Sequence, residues 1–481
     1  MLGGRMSNPG TPENPLRVAI IGAGPSGFYA ADQIIKDPDT QAQVDLFDRL
    51  PTPYGLVRGG VAPDHPKIKS VTRVYERTAA REGFRFFGNV EVGRDLGVED
   101  FEKYYHAIIY TFGAEADREL GIPGEDLPGS YAATAFVGWY NAHPDYADRN
   151  FKLDEAKRAV VIGNGNVALD VARMLALDDA ELRKTDIADH AIDLLDASTI
   201  EEIVVLGRRG PAQAAYTNPE VKELGDLEEA DVIVDPAEVE LDPASQAWIE
   251  SDEADKTARV NVEIVKEYAA RQPSGKPKRI VLRFLASPIE INGGEKVQSI
   301  VIGRNELVEA DGTLKAKDTG EREVLECDLV LRSVGYTGVP LRGVPFDERR
   351  GTILNQNGRV LESHGGEHRT GHYTAGWIKR GPSGVIGTNK KCATETVANL
   401  FEDVAAGKLL EPENPDPNAI EVLLAERGTN YVSFSGWEKI DAAEVGKGEP
   451  HGRPRVKFVR IDEMLETAAE QAEAGTTTGG K

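Results

Sequence analysis

The sequence predicts an α/β chain built of two parallel-sheet units, and two glycine-rich segments with their flanks predict it. The first reads Val18-Ala19-Ile20-Ile21-Gly22-Ala23-Gly24-Pro25-Ser26-Gly27, and the second Ala159-Val160-Val161-Ile162-Gly163-Asn164-Gly165-Asn166-Val167-Ala168. Each follows a short apolar run and opens an amphipathic stretch, the strand–turn–helix order of a dinucleotide site. The first glycine makes the tight turn, the second lets backbone approach a pyrophosphate, and the third small residue lets helix pack on strand. The anion then rests on the N–H groups of the helix N-terminus. One such segment is weak evidence; two in matching context predict two Rossmann-like domains in a two-dinucleotide-binding architecture.

The flanks justify each element in turn. Phe28, Ala31, Ile34 and Ile35 mark one helix face that stops at Asp37-Pro38. The run Val44-Asp45-Leu46-Phe47-Asp48 then alternates like a strand. Asp48 stands where a carboxylate accepts the hydroxyls of an adenosine ribose, with a solvated strand-end acid as the plainer alternative. After the second segment, Ala168, Val171, Ala172 and Leu175 mark a helix, and Ile203-Val204-Val205-Leu206-Gly207 a strand that ends in Arg208-Arg209. Two guanidiniums there suit the 2′-phosphate of NADPH, because Arg presents a fixed fork of donors. The first unit is therefore expected to hold FAD and the second NADPH, with electrons passing between them.

Composition bounds the function. A chain of 481 residues with 40% hydrophobic and 28% charged residues is a soluble globular type with room for two to three domains. No apolar run spans a membrane, and the polar stretch Met1–Pro15 lacks the apolar core of a signal peptide, so a cytoplasmic protein is expected. A net charge of −24 argues against nucleic acid. Cys327 and Cys392 are the only cysteines and form no Cys-x-x-Cys. That excludes dithiol reductases of the same plan and an iron–sulfur cluster held by this chain alone. Electrons must leave a flavin directly for something outside the chain. No metal-ligand spacing occurs either; His364 and His368 read as solvated.

The expected organisation is an FAD domain over 16–113 and 336–481, with an NADPH domain over 114–335 inserted. The strands Tyr105–Ala114 and Cys327–Gly335, each ending near a glycine, are expected to close the two sheets. The acid-rich stretch Asp226–Asp255 reads as surface, Gln272–Lys278 as a hairpin-like turn, Glu411–Pro417 as a linker and Glu470–Lys481 as a fraying end. Lys69, Arg73, Arg77 and Arg81 recur every fourth residue, which predicts four cations on one helix face: a docking stripe for an acidic carrier, or a solvated face paired with Glu76 and Glu82. In the returning segment, Gly376-Trp377 leads through Gly381-Pro382-Ser383-Gly384-Val385-Ile386 into a helix marked by Ala393, Val397, Leu400, Phe401 and Val404 and stopped at Gly407. A glycine-rich turn at a helix N-terminus can stabilise an anionic reduced flavin ring.

These motifs resemble the adrenodoxin reductase family, and within it the bacterial NADPH–ferredoxin reductases. The resemblance is carried by Leu50–Arg58 with Gly60–Pro66, Gly163–Arg173, Thr185–His190, Gly207–Pro211 and Gly376–Gly387, in order along nearly the whole chain. It implies FAD contacts at Ser26, Asp48, Leu56, Val92, Trp377 and Gly384, Val385 and Ile386. It implies NADP contacts at Asn164, Gly165, Asn166, Val167, Arg208, Arg209, Glu220 and Gly384. Asp48 stands where the family commonly has Glu, one methylene longer, and Cys392 where similar sequences tend to carry Asp. The implied activity is NADPH–ferredoxin oxidoreduction with a ferredoxin-type iron–sulfur partner; the sequence does not fix the oligomeric state, and a monomer is favoured. No nucleophile is required. His65 and Glu220 are the candidates for acid–base and positioning roles; by spacing alone His65, in Asp64-His65-Pro66, reads as a loop residue bonded to backbone, and the resemblance turns it toward chemistry. The alternatives are an NADPH diaphorase or flavin monooxygenase on the same fold, and a non-catalytic nucleotide-sensing subunit.

Overall fold

The structure is a computed structural model that describes residues 9–310 and 312–469. The expected fraying of Glu470–Lys481 and the start of the N-terminal stretch lie outside the described residues. Two compact units form. One comprises the chain up to Val61, His65–Ala116 and the chain from Tyr336 on; the other comprises Ala62–Asp64 and Asp117–Gly335.

The first unit is built on a seven-stranded sheet. Its strands run, side by side, Asn355–Gln356, Arg359–Leu361, His368–Thr374, Ala107–Tyr110, Leu16–Ile21, Ala42–Phe47 and Phe84–Phe87. The last five are mutually parallel, and the first two add an antiparallel edge. Leu16–Ile21 is buried along its whole length, as a parallel strand covered on both faces must be. It therefore reads as a continuous apolar run with one exception, Arg17. That guanidinium is buried against Asp45 of the neighbouring strand at 2.8 Å and lies over the Tyr105 ring at 5.0 Å. The helices Pro25–Ile35 and Ile386–Ala406 pack on this sheet, the second ending at Gly407 in a left-handed cap.

The second unit carries a six-stranded, wholly parallel sheet: Ser130–Ala132, Leu329–Arg332, Arg158–Ile162, Glu202–Leu206, Lys278–Arg283 and Ala230–Val234. An antiparallel three-stranded sheet, Ala286–Gly293, Val297–Ala310 and Thr313–Glu326, belongs to the same unit.

Four sequence expectations need correction. The strands Ala107–Tyr110 and Leu329–Arg332 do not close their sheets; each lies inside, next to the fingerprint strand, because a further strand pairs on its other side. Gln272–Lys278 is no hairpin turn but the link from helix Lys256–Ala270 to strand Lys278–Arg283. The N–H groups of Ser274, Gly275 and Lys276 converge there on the Asp231 carboxylate. The acid-rich stretch is not all surface: it supplies the edge strand Ala230–Val234 and a buried Glu238 that pairs with Arg283 at 2.8 Å. The basic stripe, finally, is not one helix. Pro66–Lys69 and Thr72–Ala79 are separate, Lys69 ends the first, and Arg81 lies beyond the second, 3.8 Å from Asp32. The break falls at Ser70, whose hydroxyl turns back onto the Lys67 carbonyl at 2.6 Å, a local bond that competes with helix continuation. Among the described residues no helix is long and apolar enough to cross a membrane.

Candidate functional site

In the first unit the fingerprint glycines do what their spacing requires. Gly22 sits at φ +111°, and a Cβ on it would lie 2.5 Å from the Phe112 backbone; on Gly27 it would lie 2.2 Å from the Gly22 carbonyl oxygen. Gly24, between them, faces open space. The turn is thus crowded on two sides and vacant on the third, where a ligand backbone would approach. Pro25 opens the helix as its first residue, a position that needs no N–H bond.

Around this turn the chain gathers the other sequence-derived residues. The Asp48 carboxylate accepts the Ala23 N–H at 2.8 Å and the Leu50 N–H at 3.0 Å, so it fixes the turn as well as the strand end. Burial pushes its pKa up to about 6, against the pull of those two N–H groups and of Arg49. Tyr54 and Gly55, both with positive φ, fold the next loop back so that Gly55 lies 3.0 Å (as a Cβ would) from the Gly24 Cα. Leu56 follows, 41% exposed, at the head of the short helix Leu56–Gly59. The Ser26 hydroxyl donates to Asn389 at 3.2 Å, and Arg380 reaches the same oxygen at 3.1 Å. Gly376 must be glycine beside Ser26, since a Cβ would lie 2.2 Å from its hydroxyl. Trp377 is half-buried with its ring 5.3 Å from that of Tyr336, and its Nε1–H has no partner among the described residues. Cys392 is buried and accepts the Gly376 N–H at 3.3 Å. Val92 is half-buried on the neighbouring core cluster, Gly384 and Val385 are exposed at the start of the helix that Ile386 begins, and Ile386 packs against the core cluster that contains Ala23 and Phe28.

The second unit repeats the turn. Gly163 has φ +125° and would place a Cβ 2.1 Å from the Ser333 carbonyl oxygen, while Gly165 faces open space. The Asn164 carbonyl accepts from Ala215 at 3.2 Å and the Asn166 side chain from Thr217 at 2.8 Å, which ties the turn to the loop ahead of helix Asn218–Leu224. Val167 is half-buried in the first turn of its helix. Asn164 Nδ2 is buried without a partner among the described residues, tight against Gly207. Arg208 and Arg209 follow Gly207, held through their backbone carbonyls by Asn305 and Leu285. Among the described residues neither guanidinium has a carboxylate. Burial and the adjacent Arg208 charge hold Arg209 below the ordinary arginine pKa. Two unneutralised cations at one strand end are a receptor for an anion.

Glu220 is buried on helix Asn218–Leu224 and meets Arg173 at 3.3 Å. Arg173 is the residue that sequence reasoning passed over. Its guanidinium, 3% exposed, also takes the Asp64 carboxylate at 2.6 and 3.1 Å, Asp170 at 2.7 Å and, more distantly, Glu223 at 3.7 Å. These carboxylates hold it well above the usual arginine pKa although burial opposes them. The Asp170–Arg173 spacing of one helical turn was the available signal. His65 belongs to the first unit, at the head of helix Pro66–Lys69, where its carbonyl accepts the Ile68 N–H at 3.2 Å.

The residues present fit a bound dinucleotide in each unit: a crowded turn with one open glycine and, among the described residues, a buried donor without a partner and, in the second, two cations without a carboxylate. Comparison with known proteins agrees. The family model for pyridine nucleotide-disulphide oxidoreductases matches residues 16–204. NADPH-ferredoxin reductase FprA of Mycobacterium leprae is 50% identical over 94% of this chain and 98% of its own. The mitochondrial NADPH:adrenodoxin oxidoreductase of Arabidopsis thaliana is 41% identical over 95% and 96%. The solved structure of Mycobacterium tuberculosis FprA in complex with NADPH superposes with a TM-score of 0.89 at 48% identity, covering 95% of this chain and 100% of that one.

Replacing Arg173 with Met should leave the buried Glu220 and the half-buried Asp64 and Asp170 without this cation. The expected cost to the second unit is about 3–5 kcal/mol, read by calorimetry as an earlier transition. A variant that melts with the wild type would show that these carboxylates do not depend on Arg173.

Proposed function

The chain belongs to the adrenodoxin reductase family, together with the bacterial NADPH-ferredoxin reductases, and from that premise we propose that it is an FAD-dependent NADPH–ferredoxin oxidoreductase. FAD, when bound, accepts two electrons together and releases them singly, which joins a nicotinamide donor to a one-electron iron–sulfur acceptor. Residues 16–113 and 336–481 are assigned to the FAD domain and 114–335 to the NADPH domain. A cytoplasmic monomer is part of the same reading.

The observation that carries the proposal is the asymmetry between the two strand ends. The first ends in Asp48, an acceptor suited to ribose hydroxyls; the second ends in Arg208 and Arg209, without an acid to repel phosphate. Gly22, Gly24, Pro25 and Ser26 hold the FAD pyrophosphate end, with Leu56, Val92, Trp377, Gly384, Val385 and Ile386 around the flavin half. Asn164, Gly165, Asn166 and Val167 hold the NADPH pyrophosphate. Glu220, steadied by Arg173 in the second unit, and His65 in the first are assigned acid–base and positioning roles. Both cysteines are buried, and burial pushes the Cys327 thiol up to about 12, which supports electron exit without thiol chemistry.

The test is anaerobic addition of NADPH to the holoprotein with a ferredoxin present. The flavin band should bleach and ferredoxin should be reduced, equally well in the double variant Cys327→Ser with Cys392→Ser. Rapid oxygen consumption with no ferredoxin reduction would favour a monooxygenase or diaphorase, and loss of turnover in the double variant with flavin retained would refute direct transfer.

Carrier docking on a chain of net charge −24 needs a local cationic surface. Arg73 and Arg77, both exposed on helix Thr72–Ala79, are assigned to it. Reversing both to Glu should slow ferredoxin reduction at low salt, an effect that shrinks as salt screens it. An unchanged rate at low salt would remove the helix from the docking surface.

Cofactor choice gives a sharper outcome. Changing both Arg208 and Arg209 to Ala should lower kcat/KM for NADPH by about two to three decades, on the order of 3–4 kcal/mol, and barely alter that for NADH. The loss should fall mainly in KM, because the 2′-phosphate is remote from the transferred hydride and is bound alike in ground and transition states. Equal losses with both nucleotides would make the pair structural.

A further inference from the structure

Among the described residues of the first unit, the Glu444 carboxylate is completely buried. Glu444, on helix Phe434–Gly448, takes both arms of the Arg58 guanidinium at 2.5 and 2.8 Å. The same carboxylate meets Arg455 at 3.2 Å and accepts the Phe458 N–H at 2.9 Å. Arg58 belongs to the short helix Leu56–Gly59, on the loop that lies against Gly24. Its guanidinium stands 5.2 Å over the Trp437 ring, and its carbonyl accepts from Lys457 at 3.3 Å. Trp437 in turn meets the Tyr54 ring edge-on at 5.6 Å. The loop is therefore gripped at a side chain, a carbonyl and a ring by one stretch of the C-terminal segment.

Such a grip has work to oppose. Tyr54 and Gly55 hold positive φ values of 85° and 49°, and for Tyr54 this conformation persists only where surroundings impose it. Burial disfavours the charged form of Glu444, yet the Arg58 and Arg455 charges outweigh it and leave the carboxyl below the ordinary glutamate value. The Glu444 carboxylate is therefore charged at neutral pH. We propose that residues 434–458 form a clasp in which Glu444 is the positioning residue: by fixing Arg58 it keeps the loop Tyr54–Gly60 on the first dinucleotide turn, and so sets how long FAD stays bound. The inference rests on the reading of the first unit as the FAD site.

The test uses purified holoprotein. Flavin release is followed by the rise of its fluorescence on dilution, and melting is measured for FAD-saturated and flavin-free protein. Glu444→Gln keeps the shape and loses the charge; Arg58→Lys keeps the charge and loses the fork, and it carries the test if the first variant does not fold. Release should be at least about tenfold faster in Glu444→Gln and intermediate in Arg58→Lys. The gap in melting temperature between FAD-saturated and flavin-free protein should also narrow. If both melting temperatures fall equally while release is unchanged, Glu444 only supports the fold and the clasp is refuted. A wild-type protein that holds no FAD and takes none up would instead overturn the reading of the first unit, and the clasp with it.

Discussion

Everything in each unit is arranged around one close approach, that of a glycine turn to the exit of the neighbouring strand. Gly22 presses on Phe112, and Gly163 on Ser333, at distances no Cβ would survive. This contact fixes where the following helix begins and which way its first N–H groups point. It also explains the vacant faces of Gly24 and Gly165: once the first glycine is pinned from behind, the second is left facing outward. The strand exits that do the pinning run on at once to Gly113 and Gly335, both with positive φ, where the chain turns away from its sheet. One steric constraint, used twice, sets the ligand position and the path of the chain.

Charge is distributed with equal economy. Arg173 is surrounded by carboxylates and sealed from water, whereas Arg208 and Arg209 stand together with none among the described residues. The first arrangement holds a framework in register; the second stays unsatisfied until an anion arrives. Asp48 combines the two modes, since its oxygens organise backbone and yet remain acceptors with spare lone pairs.

What could be read from the sequence was whatever recurs at short range. The strand–glycine–helix pattern placed Leu16–Ile21 with Pro25–Ile35, and Arg158–Ile162 with Asn166–Ala176, along with the acid and the arginines that end the next strands. Pairings across hundreds of residues were invisible. Glu444 and Arg58 are 386 positions apart and Arg173 and Asp64 109, and nothing in either neighbourhood announces the other. Short-range rules also misled where a local bond intervened. The four-residue spacing of cations is genuine, but the Ser70 hydroxyl broke the helix it implied. A Gly-Lys-Pro stretch resembled a hairpin until Asp231 gathered its N–H groups into a helix-to-strand link.

The strand His368–Thr374 lies beside Ala107–Tyr110, where Thr374 and Tyr110 are bonded across 264 residues of chain. On a ribosome that separation is time. At typical elongation rates, on the order of ten to fifty seconds pass between the synthesis of one partner and the other. Meanwhile the strands of the second unit, contiguous in sequence, all emerge and can pair. The nascent first sheet must wait with the Ala107–Tyr110 edge unpaired, a template for any stray strand. Until His368–Thr374 has been made, that edge of the nascent sheet has no native strand to cover it.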